Sequence, residues 1–186
     1  MTADEKWSLY GPELHRLADL LVRAPPGLAV EVGCYRGRTT AKLAAICAAR
    51  GAPLLAVDPW CGASGDETYD CFLGNTREFH NIVVTRARSD EVLPLLAAGR
   101  AGFVFVDGDH SYEQTLRDLE NGYRLLGPGG ILAVHDIFSP AHPGTGRAFT
   151  EFTSGRASEF LRYRPSTAEQ ALHSNDSECG LGWIVV

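Results

Sequence analysis

A chain of 186 residues is long enough for one domain with a buried core, with no need of disulfides or a structural metal. Its formal net charge is -6 and its Lys and Arg form no run, which argues against a nucleic-acid partner and for a small-molecule one. No apolar run approaches the ~20 residues that cross a bilayer, and the acidic N-terminus lacks a signal peptide's basic region, so a soluble, cytoplasmic protein is expected.

In residues 7–22, Leu14, Leu17, Leu20 and Leu21 recur at helical spacing until Ala24-Pro25-Pro26-Gly27 stops the pattern. This predicts an amphipathic helix within an N-terminal segment, residues 1–24, that covers a pocket. Leu28-Ala29-Val30-Glu31-Val32 then reads as a strand, followed by a glycine turn and an alanine-rich helix over residues 38–50. Similar apolar runs at 54–58, 81–85, 103–107 and 131–134 predict four more strands, and their continuous apolarity predicts burial on both faces. Helices are expected between them at 69–79, 89–98 and 112–126, the last stopped by Gly127-Pro128-Gly129-Gly130. After Arg147 the chain offers a helix to 160, then strands at 161–164 and 181–186 that close the sheet as an antiparallel hairpin.

The alternation predicts an α/β fold, a doubly wound, Rossmann-like, seven-stranded and mostly parallel sheet. With no internal repeat or linker, residues 1–186 read as a single domain. Stretches 60–68 and 138–146 are expected to be loops leaving strand ends, where open α/β sheets bind ligands. Five cysteines, Cys34, Cys47, Cys61, Cys71 and Cys179, contain no CxxC pair and are expected to be reduced, structural thiols.

The turn Glu31-Val32-Gly33-Cys34-Tyr35-Arg36-Gly37-Arg38-Thr39 sets two glycines between a strand and a helix, which lets a ligand approach the backbone closely. It fits neither the phosphate loop nor the GxGxxG fingerprint. Asp58 ends the second strand, where a carboxylate can accept hydrogen bonds from both hydroxyls of a ribose. Asp107 and Asp136 end the fourth and fifth strands, so in a parallel sheet both emerge at the edge that carries the Gly33 turn and can share a hard cation.

The ExGxxxG turn, then FVFVDGDHSY from Phe103, an amphipathic helix, LLGPGG and ILAVHD ending at Asp136 resemble class I S-adenosylmethionine-dependent methyltransferases. The likeness covers roughly residues 30–137, with a weaker match in GLGWIVV, and points to the family of macrolide sugar O-methyltransferases and cephamycin-biosynthesis relatives. Catechol O-methyltransferases are more distantly similar. The resemblance implies S-adenosylmethionine as cofactor, with Glu31, Gly33, Tyr35, Gly37 and Thr39 around its methionine part, Asp58 on its ribose and Ser89 beside its adenine. Trp60 would add an aromatic wall, and Asp107 would face both cofactor and cation. It also implies that Asp107, His135 and Asp136 hold Mg2+ or another divalent cation, although the His-Asp pair replaces the Asp-Asn or paired acids of relatives and suits softer transition metals. His110 stands where catechol-type enzymes place a lysine base, and becomes the candidate general base.

Blander roles are available to several of these residues. Glu31 can tie turn amides, Tyr35 can pack on the surface, Ser89 can cap a helix, and His110 can pack against the helix at Tyr112. Asp109 can be a ligand or a cap, and His142 can reach a substrate from its loop. The expected activity is methyl transfer to a hydroxyl of a secondary-metabolite-type small molecule, as in antibiotic biosynthesis, with a homodimer partner completing the lid. Alternatives are a metal-independent N- or C-methyltransferase and a noncatalytic S-adenosylmethionine-binding protein. A hydrolase is disfavoured, since Gly62-Ala63-Ser64-Gly65 lacks the GxSxG spacing.

Overall fold

The structure, a computed structural model, describes residues 9–62, 65–172 and 177–186, so Trp7 of the first predicted helix lies outside the described residues. In chain order the elements are α1 (Gly11–Arg23), β1 (Leu28–Val32), α2 (Arg38–Ala49), β2 (Leu54–Val57), α3 (Gly65–Thr76), β3 (Ile82–Thr85) and α4 (Ser89–Val92). They continue with β4 (Ala101–Val106), α5 (Tyr112–Leu125), β5 (Leu126–Val134), α6 (Pro143–Phe152), β6 (Glu159–Tyr163), α7 (Thr167–Leu172) and β7 (Cys179–Val185). One sheet results, in the order β3-β2-β1-β4-β5-β7-β6. The first five strands pair in parallel, and β7 lies antiparallel between β5 and β6. The expected doubly wound, seven-stranded sheet with an antiparallel C-terminal end is therefore present.

Because side chains alternate across a strand, the central strands feed two separate cores. Val30, Val32, Val104, Val106 and Leu132 pack with Leu119, Leu125, Phe149 and Phe152 on one face. On the other, Ala29, Phe103, Phe105 and Ile131 meet Leu17, Leu20 and Leu21 of α1 and Leu43 of α2. Truncating one of these leucines to alanine typically costs about 2–5 kcal/mol. Two-faced burial fails for β3, where Val83 is 55% and Val84 37% exposed, because that strand pairs only with β2.

Several boundaries move for local reasons. Helix α3 starts at Gly65, ahead of the expected 69, with Asp66 and Glu67 in its first turn, where acids favour the positive helix end. The helix expected over 89–98 ends at Val92 and passes into a 3-10 turn, Leu93–Leu95, since Pro94 has no N–H to donate. Helix α6 starts at Pro143, inside the expected loop, because Pro suits a helix's first position, and it stops at Phe152, short of the expected 160. Leu126 leaves α5 to pair with Ala101, so β5 begins five residues early. The short helix α7 was not expected, and β6 and β7 each start two residues early. None of the five cysteines forms a disulfide. No helix among the described residues is long and apolar enough to cross a membrane.

Candidate active site at the carboxyl edge of the sheet

The residue just beyond β1, β2, β4 and β5 continues the ladder of the neighbouring strand, which fixes its place at the sheet's rim. Gly33 N–H donates to Val57 O at 2.9 Å, Asp58 to Thr85 O at 3.2 Å, Asp107 to Val32 O at 2.8 Å and His135 to Val106 O at 3.0 Å. Above this rim lies a cavity of about 650 Å³ lined by Gly33, Tyr35, Thr39, Asp58, Ser89 and Asp107, and also by His110, His135 and Asp136. Leu9 and Tyr10, just before α1, Gln114 and His142 are also in its wall, and the sequence singled out only the last of these four.

Three residues expected at the cofactor stand outside that lining. Glu31 is fully buried in β1, and burial foremost, then the nearby Asp107 and Asp58 charges, push its pKa to about 8 against the pull of Thr40 and Cys34. The turn amides of its blander alternative role go to Asp58, whose Oδ2 accepts from Cys34 N and Tyr35 N at 2.9 Å each and whose Oδ1 accepts from Trp60 N at 2.7 Å. Gly37 opens α2 in the left-handed region, φ 79°, where a Cβ would press the Phe72 ring at 2.8 Å. Trp60 is 3% exposed; its Nε1 donates to Tyr35 O at 2.7 Å and its ring meets Tyr69 and Phe72 at 4.8 and 4.7 Å. It fastens the Gly33 turn to α3 and forms no wall of the cavity.

Ser89 reaches the cavity but does not cap α4. Its Oγ donates to Asp118 Oδ1 at 2.6 Å and accepts from Gln114 Nε2 at 3.1 Å, joining α4 to α5. Asp109 does not cap α5, whose N-cap is Ser111 with its side chain accepting from Gln114 N; the Asp109 Oδ1 accepts from Ser111 N at 2.8 Å, which holds its pKa down.

Backbone strain gathers at the same edge. Tyr35, Trp60 and Asp136, with φ of 45°, 40° and 59°, are the non-glycine residues in the left-handed region among the described residues, and each follows a parallel strand. Such conformations cost of order 1–3 kcal/mol each and persist where surrounding structure over-determines them, commonly at functional sites.

Opposite the Gly33 turn two histidines and three carboxylates converge. His110 Nε2 lies 3.2 Å from Asp136 Oδ2 and 3.6 Å from Asp107 Oδ1. His135 Nδ1 lies 3.3 Å from Asp107 Oδ1 and 3.4 Å from Asp136 Oδ1, while its Nε2 is 3.1 Å from Glu13 Oε1 of α1. Burial alone would make His135 less basic, but Asp136, Asp107 and Glu13 outweigh it and hold its pKa well above the usual histidine value. Burial likewise opposes ionisation of Asp136, yet His135 and His110 hold its carboxyl far below the ordinary range.

For His110, burial acts downward and the hydrogen bonds and charges of Asp107 and Asp136 act upward, with a net pKa of about 9. So paired, it holds its proton more firmly than an isolated imidazole. Its ring stacks on His142, centroids 4.0 Å apart.

Asp107, His135 and Asp136 each offer a donor atom within 4.8 Å of the others, as do His110, Asp136 and His142. The mixed imidazole and carboxylate set fits a divalent cation, and suits Mn2+, Fe2+ or Zn2+ better than Mg2+. Glu13 was missed in the sequence, because Tyr10 at the cap position is not one of the Ser, Thr, Asp or Asn residues that mark a capping box; its Oε2 accepts from Tyr10 N at 3.2 Å.

Among solved structures the chain is similar to the O-methyltransferase TomG from Streptomyces achromogenes, involved in tomaymycin synthesis and solved with S-adenosylmethionine. The match has a TM-score of 0.68 at 19% identity, over 96% of this chain and 82% of that one. It is similar also to an O-methyltransferase from Bacillus cereus in complex with S-adenosylhomocysteine, with a TM-score of 0.69 at 14% identity over 96% and 83% of the two chains. An rRNA methylase from Streptococcus thermophilus matches with a TM-score of 0.65 at 14% identity, over 96% and 99%. At such identities these likenesses establish the fold. A family model described as a methyltransferase domain matches residues 30–137, more than half of the chain and the stretch carrying Gly33, Asp58, Asp107 and Asp136, and the chain belongs to that family.

Proposed function

We propose that the protein transfers the methyl group of S-adenosylmethionine to a hydroxyl oxygen of a small molecule, assisted by a divalent cation. One observation carries the reading: the Gly33 turn with Asp58, and the Asp107, His110, His135 and Asp136 cluster, open into the same cavity. A methyl donor and an acceptor bound at these two groups would be neighbours, as in-line displacement requires.

Asp58 spends three acceptor positions on backbone amides, and a carboxylate with about four leaves one on Oδ1 for a ribose hydroxyl. Gly33, Tyr35 and Thr39 would line the methionine part, where the first turn of α2 presents its N–H groups to a carboxylate. Ser89 and Gln114, held together at 3.1 Å, would flank the adenine. Asp107, His135 and Asp136 would hold the cation, which lowers the pKa of a bound hydroxyl and fixes its direction.

In this reading His110 would take the hydroxyl proton. It is held protonated by Asp107 and Asp136, so it becomes a base only when those carboxylates are otherwise engaged. The reaction then balances simply: an oxygen–methyl bond forms, the sulfonium leaves as a neutral thioether, and the acceptor's proton passes to His110. The net charge of -6 and the absence of a Lys and Arg run favour a small acceptor over a nucleic acid.

The test is calorimetry with S-adenosylmethionine and with Mn2+, followed by turnover on phenolic and sugar hydroxyl acceptors, for the wild type and Asp136→Ala. The expected result is S-adenosylmethionine binding by both proteins, with Mn2+ binding and turnover lost in the variant. Failure of the wild type to bind S-adenosylmethionine overturns the function. Turnover that survives chelation and Asp136→Ala overturns the cation.

A further inference from the structure

We infer that Glu13 is a positioning residue for cation binding: from the first turn of α1 its carboxylate holds the His135 imidazole with Nδ1 turned toward the Asp107 and Asp136 oxygens. The inference rests on the cation reading above and extends it to the N-terminal helix.

Glu13 belongs to the buried stripe of α1 with Leu17, Leu20 and Leu21 and is 0% exposed. A carboxylate at such a position is costly unless charged or polar partners meet it, and a helix cap alone can be made at the surface. Its two oxygens divide the work: Oε2 accepts from Tyr10 N at 3.2 Å and Oε1 lies 3.1 Å from His135 Nε2. With the Nε2 hydrogen committed to Glu13, the imidazole has only Nδ1 left for the cavity side. That nitrogen faces oxygens of Asp107 at 3.3 Å and of Asp136 at 3.4 Å, so a cation bound there would take the place of the proton that Nδ1 shares with them.

A carboxylate behind a ligating histidine fixes the ring's tautomer and direction, and losing such a partner typically weakens metal binding about 10–100-fold. Glu13 adds a second effect. Its backbone segment continues into Tyr10 and Leu9, which line the cavity, so the contact that aims His135 also seats the start of α1 beside the site.

The experiment measures Mn2+ affinity of the full chain by the electron paramagnetic resonance of free Mn2+, for wild type, Glu13→Gln, His135→Asn and the double variant. Gln keeps an acceptor for Tyr10 N, so Glu13→Gln is expected to fold and to bind Mn2+ about 10–100-fold more weakly. In the His135→Asn background the same change is expected to alter affinity less than about twofold, since only coupled residues depart from additivity. A second measurement needs no variant: in the wild type loaded with Zn2+, nitrogen-15 shifts are expected to show His135 protonated at Nε2 and metal-bound at Nδ1.

Wild-type Mn2+ affinity in Glu13→Gln, an equal loss in both backgrounds, or the opposite tautomer overturns the role of Glu13 while the cation reading stands. A wild type that binds neither Mn2+ nor Zn2+ overturns both.

Discussion

Replacing Gly33 with alanine tests the juxtaposition on which the site is built. A Cβ there would lie 2.1 Å from the carbonyl oxygen of Asp107, 2.5 Å from its carbonyl carbon and 2.6 Å from Gly108 Cα. These are backbone atoms, so no side chain can swing away. The conformation, φ +83°, adds the left-handed penalty of about 1–2 kcal/mol. Overpacking typically costs about 1–3 kcal/mol, and prying the two strand ends apart stretches the 2.8 Å bond from Asp107 N to Val32 O, worth about 1 kcal/mol. Together the loss is about 3–6 kcal/mol out of a typical 5–15. Gly51→Ala is the control, since Gly51 shares the positive φ, +64°, and has nothing within 4 Å of its added Cβ. Guanidinium unfolding should show the Gly33 variant losing at least about 2 kcal/mol more than the Gly51 variant, and calorimetry should show S-adenosylmethionine binding lost only in the former. Equal losses of stability, or unchanged cofactor affinity in Gly33→Ala, would refute the close approach of the turn to β4 as the constraint that shapes the site.

Two further outcomes are open to measurement beside those already given for Asp136 and Glu13. Burial foremost raises the Asp118 pKa to about 6, above its unfolded value, against the pull of Ser89 and Gln114. The fold therefore binds this proton more tightly than the unfolded chain, and stability contributed at pH 4 is lost as pH rises through 6. Asp118→Asn, which keeps an acceptor for Ser89, should remove up to about 3 kcal/mol of that slope between pH 4 and 7, seen as altered denaturation midpoints. Parallel pH profiles for wild type and variant would contradict this. Trp60→Phe should cost about 1–2 kcal/mol of stability through the lost bond to Tyr35 O while leaving cofactor affinity within a few-fold. A large loss of affinity with unchanged stability would instead restore Trp60 as a cavity wall.

What could be read from the sequence was whatever depends on local pattern. Continuous apolar runs such as Phe103-Val104-Phe105-Val106 identify buried parallel strands, and a polar residue directly after each run falls at the rim by topology alone. That is why Gly33, Asp58, Asp107 and Asp136 all line one cavity. Composition cannot tell an edge strand from a central one, so the exposure of Val83 and Val84 was missed. The protonation of His110 depends on the spacing between two loops, and Glu13 meets His135 across 122 residues of chain. Trp60 was misassigned because an aromatic after a strand is equally at home in a wall or a joint, and only the 2.7 Å bond to Tyr35 O decides between them.

The strained residues show how the rim holds its shape, and they change how one substitution must be read. Tyr35 and Trp60, both at positive φ, each donate a backbone N–H to the Asp58 carboxylate, one to Oδ2 and one to Oδ1. A single side chain thus restrains two unfavourable backbone conformations, each worth of order 1–3 kcal/mol. Removing it with alanine would release both turns as well as any bond to a ribose hydroxyl, so lost cofactor binding in Asp58→Ala would not by itself establish ribose recognition. Asp58→Asn is the sharper probe. An amide oxygen can still accept from one turn, and the amide nitrogen that replaces the other oxygen faces donors it cannot satisfy. Since Oδ2 already accepts from two amides, the oxygen is favoured there, and the loss falls on Oδ1, the atom with a position left for the cofactor.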